Sequence, residues 1–215
     1  MIDALTETPQ AKTIEAAQQL CERLRSQHEL RITLLTYGTN SAADLLHRNA
    51  LALNADQQIL VLNDGHPHPD PLTIARVFAA AIHKLGDADL VLVSNEEHDW
   101  GTGQIGGLLA EELNVPLISF VDYLEIITDG FLVRRQTEKG WEMFSAKPPL
   151  IVSLTKITSR DLNRLPTATL TNGTVEPSIT TPRAMTTWTL DEIEVNAAEV
   201  RAGNSYYEVI DINLS

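Results

Sequence analysis

The residues best suited to chemistry lie in "HDWGTGQIGGLLAEELNVP", from His98 to Pro116. Gly101, Gly103, Gly106 and Gly107 put no Cβ between the backbone N–H groups and an approaching anion. The run that follows has helical spacing. A helix starting near Thr102 would place about half a positive charge at its first turn. This is chemistry for holding a phosphate, and it needs no lysine. The competing reading is a tight strand-to-helix turn whose glycines pack against a sheet and bind nothing.

Other chemically able residues carry weaker patterns. "HPHPD" (66–70) offers His66, His68 and Asp70 to a metal, but no HxxxH spacing or paired cysteines accompany it, and an exposed loop explains it as well. Glu96, Glu97 and Asp99 are acid–base carboxylates with no nucleophile or second base near them in sequence, which favours a solvated loop. Cys21 falls on the apolar side of a helical pattern, as a buried structural thiol does. "NGT" (172–174) fits a glycosylation acceptor, but without a secretory signal it carries no weight.

Composition limits the partners. The 215 residues include 29 acidic and 16 basic side chains, a net charge of -13. That balance disfavours nucleic acid, whose phosphates need a basic face. Hydrophobic residues make up 43%, enough for a sizeable core. The single cysteine excludes a disulfide framework and suits a reducing compartment. "MIDALTETPQ" does not read as a secretory signal, and no apolar run approaches the ~20 residues of a membrane span. The expected setting is cytoplasmic.

The elements that would position the glycine loop follow from periodicity. Helices are expected over 9–26, 41–53 (Ser41 as its cap), 71–85 and from about 102 to 113. "RITLLTYG" (31–38), "QILVLN" (58–63), "DLVLVS" (89–94) and "PLISFV" (116–121) read as short, near-continuous apolar strands. Such strands alternating with amphipathic helices predict an α/β fold: a doubly wound, mostly parallel sheet with helices on both faces. "YLEIIT", "FLVRRQ" and "WEMFSA" then read as a β-hairpin excursion, with Asp129–Gly130 as a turn signal. "LIVSLT" (150–155) returns to the sheet. Residues 157–187 have little periodicity, and "YYEVIDINLS" (206–215) is strand-like. The expected organisation is a nucleotide-binding-like domain over 1–156 and an extended arm over 157–215, packed on that domain or on a partner. In open α/β sheets ligands bind beyond the carboxyl ends of the strands. Here those are the loops after Tyr37, Asn63 and Ser94.

Several motifs, in order, resemble the beta subunit of electron-transfer flavoproteins. Asp99-Trp100-Gly101-Thr102-Gly103-Gln104-Ile105-Gly106, followed by Leu113-Asn114-Val115-Pro116, is similar to that family's D-G-D-T-x-Q-V-G-P loop, helix and L-G-x-P. "DLVLVSNE" resembles its DLVLxGxQ, "NALALNAD" its ALAMGAD, and "IEAA" its VEEA. Val133 to Arg135, Glu138, Gly140, Glu142 and "PPLIVSL" are similar to its V-x-R hairpin and LPAVVTV. "NRLP" and "GNSYYEV" resemble later patterns. The likeness covers most of residues 10–209. This chain departs from the family pattern at Gly101, where the second loop aspartate stands, at Glu96, where a glutamine is usual, and after the LP motif, where the lysine-rich run is replaced by "TATLTNGTVEPS".

The resemblance implies an electron-carrier subunit rather than an enzyme. It would pair with an alpha subunit that holds most of the flavin site and would take electrons from acyl-CoA or other flavin dehydrogenases. It also implies an AMP, or in bifurcating members an FAD, against Thr102, Gly103, Gln104 and Ile105. Ser94, Asn95, Glu96 and Asp99 would line the same pocket, with Gly38 and Thr39 from the neighbouring strand end. Leu165 matches a leucine that docks on dehydrogenases. The alternative is an interaction scaffold of the same fold that has lost its nucleotide; a nucleotide-dependent enzyme is a third possibility. The family's opening strand lies beside the equivalents of 31–37 and 89–94, whereas "IEAA" here stands almost at residue 1. The slot is therefore expected to be filled by "YEVIDINL" (207–214) or by a partner's strand.

Overall fold

The computed structural model describes residues 9–63, 70–86, 88–94, 103–154, 184–196 and 207–214. In chain order the elements are α1 (Pro9–Arg25), β1 (Leu30–Gly38), α2 (Ala43–Ala52), β2 (Gln57–Leu62), α3 (Pro71–Leu85), β3 (Leu90–Ser94), α4 (Ile105–Leu113), β4 (Leu117–Ile127), β5 (Gly130–Thr137), β6 (Gly140–Ala146), β7 (Leu150–Leu154), β8 (Met185–Trp188) and β9 (Tyr207–Leu214). The nine strands form one sheet in the order β6-β5-β4-β7-β3-β9-β1-β2-β8. The pairs β1–β2, β2–β8, β3–β7 and β4–β7 are parallel.

The alternation of side chains along each strand divides the core into two layers. Ile32, Leu34, Leu60, Leu90, Leu92, Val152, Ile210 and Ile212 meet α1 and α2 on one face through Ala17, Leu20, Leu24, Leu46 and Leu53. On the other face Leu35, Tyr37, Ile59, Val61, Val91, Val93, Ile151 and Val209 meet α3 and α4 through Ile74, Val77, Phe78, Ile82, Ile105 and Leu109. Helices cover both faces, as the apolar strand runs predicted, but the sheet is mixed rather than mostly parallel: β9 and the β4–β5–β6 hairpins make the other four of its eight pairings antiparallel.

The last strand occupies the slot for which "YEVIDINL" or a partner's strand was expected. β9 pairs antiparallel with β1 from Leu30↔Leu214 to Tyr37↔Tyr207, and with β3 from Leu90↔Ile212 to Leu92↔Ile210. It therefore separates β1 from β3, the two strands between which the chain order of the sheet reverses. β8 adds a parallel edge to β2. The described parts of 157–215 thus supply two strands to the same sheet as β1–β7.

Local chemistry sets most boundaries. Asp70 caps α3, its Oδ1 accepting from the Thr73 N–H at 2.8 Å, and Pro71 stands at the first turn. Ser41 is not the cap of α2. It lies in a 3-10 turn, Asn40–Ala42, its hydroxyl 2.6 Å from that of Thr39, and the cap position falls to Ala42, which has no side-chain acceptor. "PLISFV" and "YLEIIT" are one strand: β4 pairs with β7 up to Val121 and with β5 from Val121 onward. The register shifts at this change, and Phe120 takes φ 60°. A bulge of this kind re-aims a strand between two partners. The β4–β5 turn falls on Thr128 and Asp129, one residue before the expected pair. Gly130 opens β5 at φ 142°, where a Cβ would collide with the Ala146 carbonyl oxygen. Arg134 closes the hairpin on Asp122 through two hydrogen bonds of 2.8 and 3.2 Å, and the Trp141 indole N–H donates to the same carboxylate at 3.2 Å.

Candidate functional site

The parallel strands all end on one side of the sheet, and the sequence-predicted residues within the described part of the chain gather there. Gly38 ends β1, and its carbonyl accepts from the Asn63 N–H at 2.8 Å, tying the ends of β1 and β2 together. Thr39 follows at the surface. Ser94 ends β3, half-buried. Gly103, at φ 61°, and Gln104 are exposed, and Ile105 begins α4. Asn95, Glu96, Asp99, Thr102 and Leu165 lie outside the described residues, as do His66 and His68. Asp70, offered above as a metal ligand, is the α3 cap. Among the described residues no group of three or more His, Cys, Asp or Glu could hold a metal.

Two features shape this end of the sheet. The first is the start of α4. Ile105 is 3% exposed and Leu109 fully buried, anchoring the helix on the sheet. Gly106 permits the close approach: a Cβ there would lie 3.2 Å from Cγ2 of Val93. Gly107 meets nothing within 4 Å, so its spacing has no packing cause. Gln104 makes no side-chain cap bond, and the first turn carries no acidic residue. The positive end of the α4 dipole is therefore not neutralised by side chains of its own first turn.

The second feature is a fork. β9 stays paired with β1 as far as Tyr37↔Tyr207, but its pairing with β3 stops at Leu92↔Ile210. The ladder with β9 does not reach Val93 and Ser94, which stay paired with Ser153 and Leu154 of β7 just before the chain runs on to α4. Hydrophobic periodicity shows that β9 is a strand, but not that its pairing is shorter on one side. A groove of about 830 Å³ lies at the opposite end of the sheet, lined by His28, Asp129, Pro148 and Leu214 among others, and none of the predicted site residues borders it.

What this arrangement can do chemically is bind and orient. It presents backbone donors and a helix terminus where strand order reverses, the place at which α/β sheets hold nucleotides. Cys21 is far from it in the fold, buried under α1, its thiol pushed up to about 12 chiefly by burial.

Comparison with known proteins adds a family. The family model described as electron transfer flavoprotein domain matches residues 7–186. The electron transfer flavoprotein subunit beta of Clostridium acetobutylicum is 27% identical over 177 residues, 82% of this chain and 64% of that protein. The corresponding subunit of Bacillus subtilis is 34% identical over 134 residues, 61% of this chain and 51% of that protein. The caffeyl-CoA reductase-Etf complex subunit CarD of Acetobacterium woodii is 29% identical over 125 residues, 58% of this chain and 47% of that protein. The chain thus spans about half to two thirds of the length of these relatives.

Proposed function

The chain belongs to the electron transfer flavoprotein family, several of its relatives being named as beta subunits, and from that premise we propose that it is a beta-like carrier subunit holding an adenine nucleotide at the mouth of its sheet. The observation that supports this reading best is the start of α4: an anchored helix with no acid in its first turn, beside the fork at Ser94. A phosphate would be held by backbone N–H groups at Gly103 and Gln104, with Thr102 and Ile105 beside them. Ser94, Asn95, Glu96 and Asp99 would line the ribose and base side, and Gly38 and Thr39 would close the neighbouring strand end. AMP there would be structural; FAD would supply one- and two-electron redox chemistry.

The carrier role follows the family. This subunit would pair with an alpha-like subunit and accept electrons from acyl-CoA or other flavin dehydrogenases, with Leu165 as a docking residue. The naming of one relative as part of a caffeyl-CoA reductase complex supports a dehydrogenase-type partner. No described helix is long and apolar enough to cross a membrane; a cytoplasmic setting is part of the proposal.

The test is cofactor release from the purified native complex, read by absorbance and mass. One AMP or FAD per chain, beyond any FAD held by the partner, is the expected result. A second reading, an interaction scaffold without nucleotide, has its own observation. Because β9 runs antiparallel, the slot between β1 and β3 offers the entering end of a strand at the mouth rather than a strand-to-helix loop. No nucleotide beyond the partner's would favour that scaffold.

A further inference from the structure

The strand that fills the middle of the sheet carries a carboxylate into the core. Ile210 and Ile212 face α1 and α2, so alternation points Asp211 the other way, under α3 with Val209. Asp211 is 1% exposed, and neither of its carboxylate oxygens has a hydrogen-bond partner; the Asn213 side-chain oxygen, two residues along, is buried in the same condition. Among the described residues the neighbours offer no compensating charge. By register Asp211 lies between Thr33 of β1 and Val91 of β3. Asp89, just before β3, is a second carboxylate, and its Oδ2 accepts from the Leu214 N–H at 2.8 Å. Arg31, which faces Asn213 across the ladder, is exposed. α3 packs over this face with Val77, Phe78, Ala81 and Ile82, while its charged residues Arg76, His83 and Lys84 point to solvent. An ionised, unpaired carboxylate is costly in such a place.

We propose that docking of β9 between β1 and β3 is linked to uptake of one proton at Asp211, so that the strand is held most firmly in acid and loosens as the pH rises to neutrality. Burial, with Asp89 adding to it, pushes the Asp211 carboxyl up from 3.8 to about 7. In a released strand the group faces water and ionises at its ordinary value. Below that value both states are protonated and the pH has no effect. Between the two values only the released strand is ionised, so docking weakens about tenfold per pH unit. Above the higher value both are ionised and the loss is complete, roughly a thousandfold. The ladder with β3 spans only Leu90–Leu92, the shorter of the two that hold the strand.

The experiment is amide hydrogen exchange on the full chain, read by peptide mass spectrometry and corrected for intrinsic exchange rates. Protection of residues 207–214 is expected to fall roughly fiftyfold between pH 5 and pH 7 and to change little above pH 8. Asp211→Asn should remove the dependence. Asp89→Asn, which leaves Asp211 in place, should move the window to lower pH. Wild-type protection that is flat with pH, an Asp211→Asn variant that keeps the wild-type slope, or protection of Leu150–Leu154 lost in step with that of β9 would each overturn the proposal.

Discussion

At the scale of single residues, the first turn of α4 separates binding from packing. Gln104 is exposed at the cap position and makes no side-chain cap bond. Gln104→Glu would place a negative charge on the positive end of the helix, which by itself stabilises the free protein by about 0.3–1 kcal/mol. The same charge repels a bound phosphate. The expected outcome is a slightly higher melting temperature without nucleotide and a roughly tenfold loss of AMP affinity by calorimetry, since charges a few ångströms apart near a surface interact by one to a few kcal/mol. Unchanged affinity would place the phosphate elsewhere. Gly106 and Gly107 give the packing control. Gly106→Val crowds Cγ2 of Val93, already 3.2 Å from where a Cβ would stand, and should cost about 1–3 kcal/mol in urea unfolding. Gly107→Ala enters open space in a helix and should stabilise by up to about 1 kcal/mol. The sequence marked all of these glycines alike as possible anion cradles. Only the distance to Val93 distinguishes the one that packs the helix, and that distance depends on β3, a separate stretch of chain.

At the scale of elements, what the sequence predicted well has a local cause. α3 begins and ends where expected because Asp70, Pro71 and Gly86 are all local signals. Asp70→Ala should remove the bond to the Thr73 N–H and cost about 1 kcal/mol, lowering the thermal midpoint by a few degrees. Gly130→Ala should cost more, on the order of 3 kcal/mol, because a strained φ and a collision with Ala146 act together. A midpoint for Gly130→Ala no lower than that for Asp70→Ala would contradict this ranking. What the sequence missed was decided by non-local pairing. β8 is short, with Thr186 and Thr187 exposed on an edge strand, so no alternation marks it; it is a strand because β2 has a free edge. β4 reads as two strands because its apolar pattern is interrupted at the bulge, yet its two halves serve different neighbours.

At the scale of the whole molecule, β9 decides how the sheet and the mouth are built. The period-2 pattern of "YEVIDINL" and the need for a strand beside both "RITLLTY" and "DLVLVS" were enough to expect it there. Its direction was not legible, because alternation reads the same both ways and the connection from β8 sets the polarity. The fork at Ser94 was hidden as well, because where a ladder stops depends on the neighbouring strand and not on alternation. The energetic weight of β9 can be tested by ending the chain at residue 206. Val209, Ile210 and Ile212 would leave the core, each worth about 1.5–3 kcal/mol when fully buried. That sum is comparable to the ~5–15 kcal/mol that holds a whole domain together. The shortened chain should therefore melt roughly 10 °C or more below the full chain in circular dichroism. Addition of the peptide 207–214 should recover most of that loss, and a peptide carrying Asp211→Asn should act at lower concentration at pH 8 than the natural one. The competing outcome is a sheet that closes up, with β1 paired directly to β3. Closure would draw the helices on each face inward by one strand spacing, about 4.8 Å, in a core packed to near-crystalline density. A shortened chain that melts with the full one and ignores the peptide would show that the sheet has closed in that way, with β9 an addition to the fold and not its middle strand.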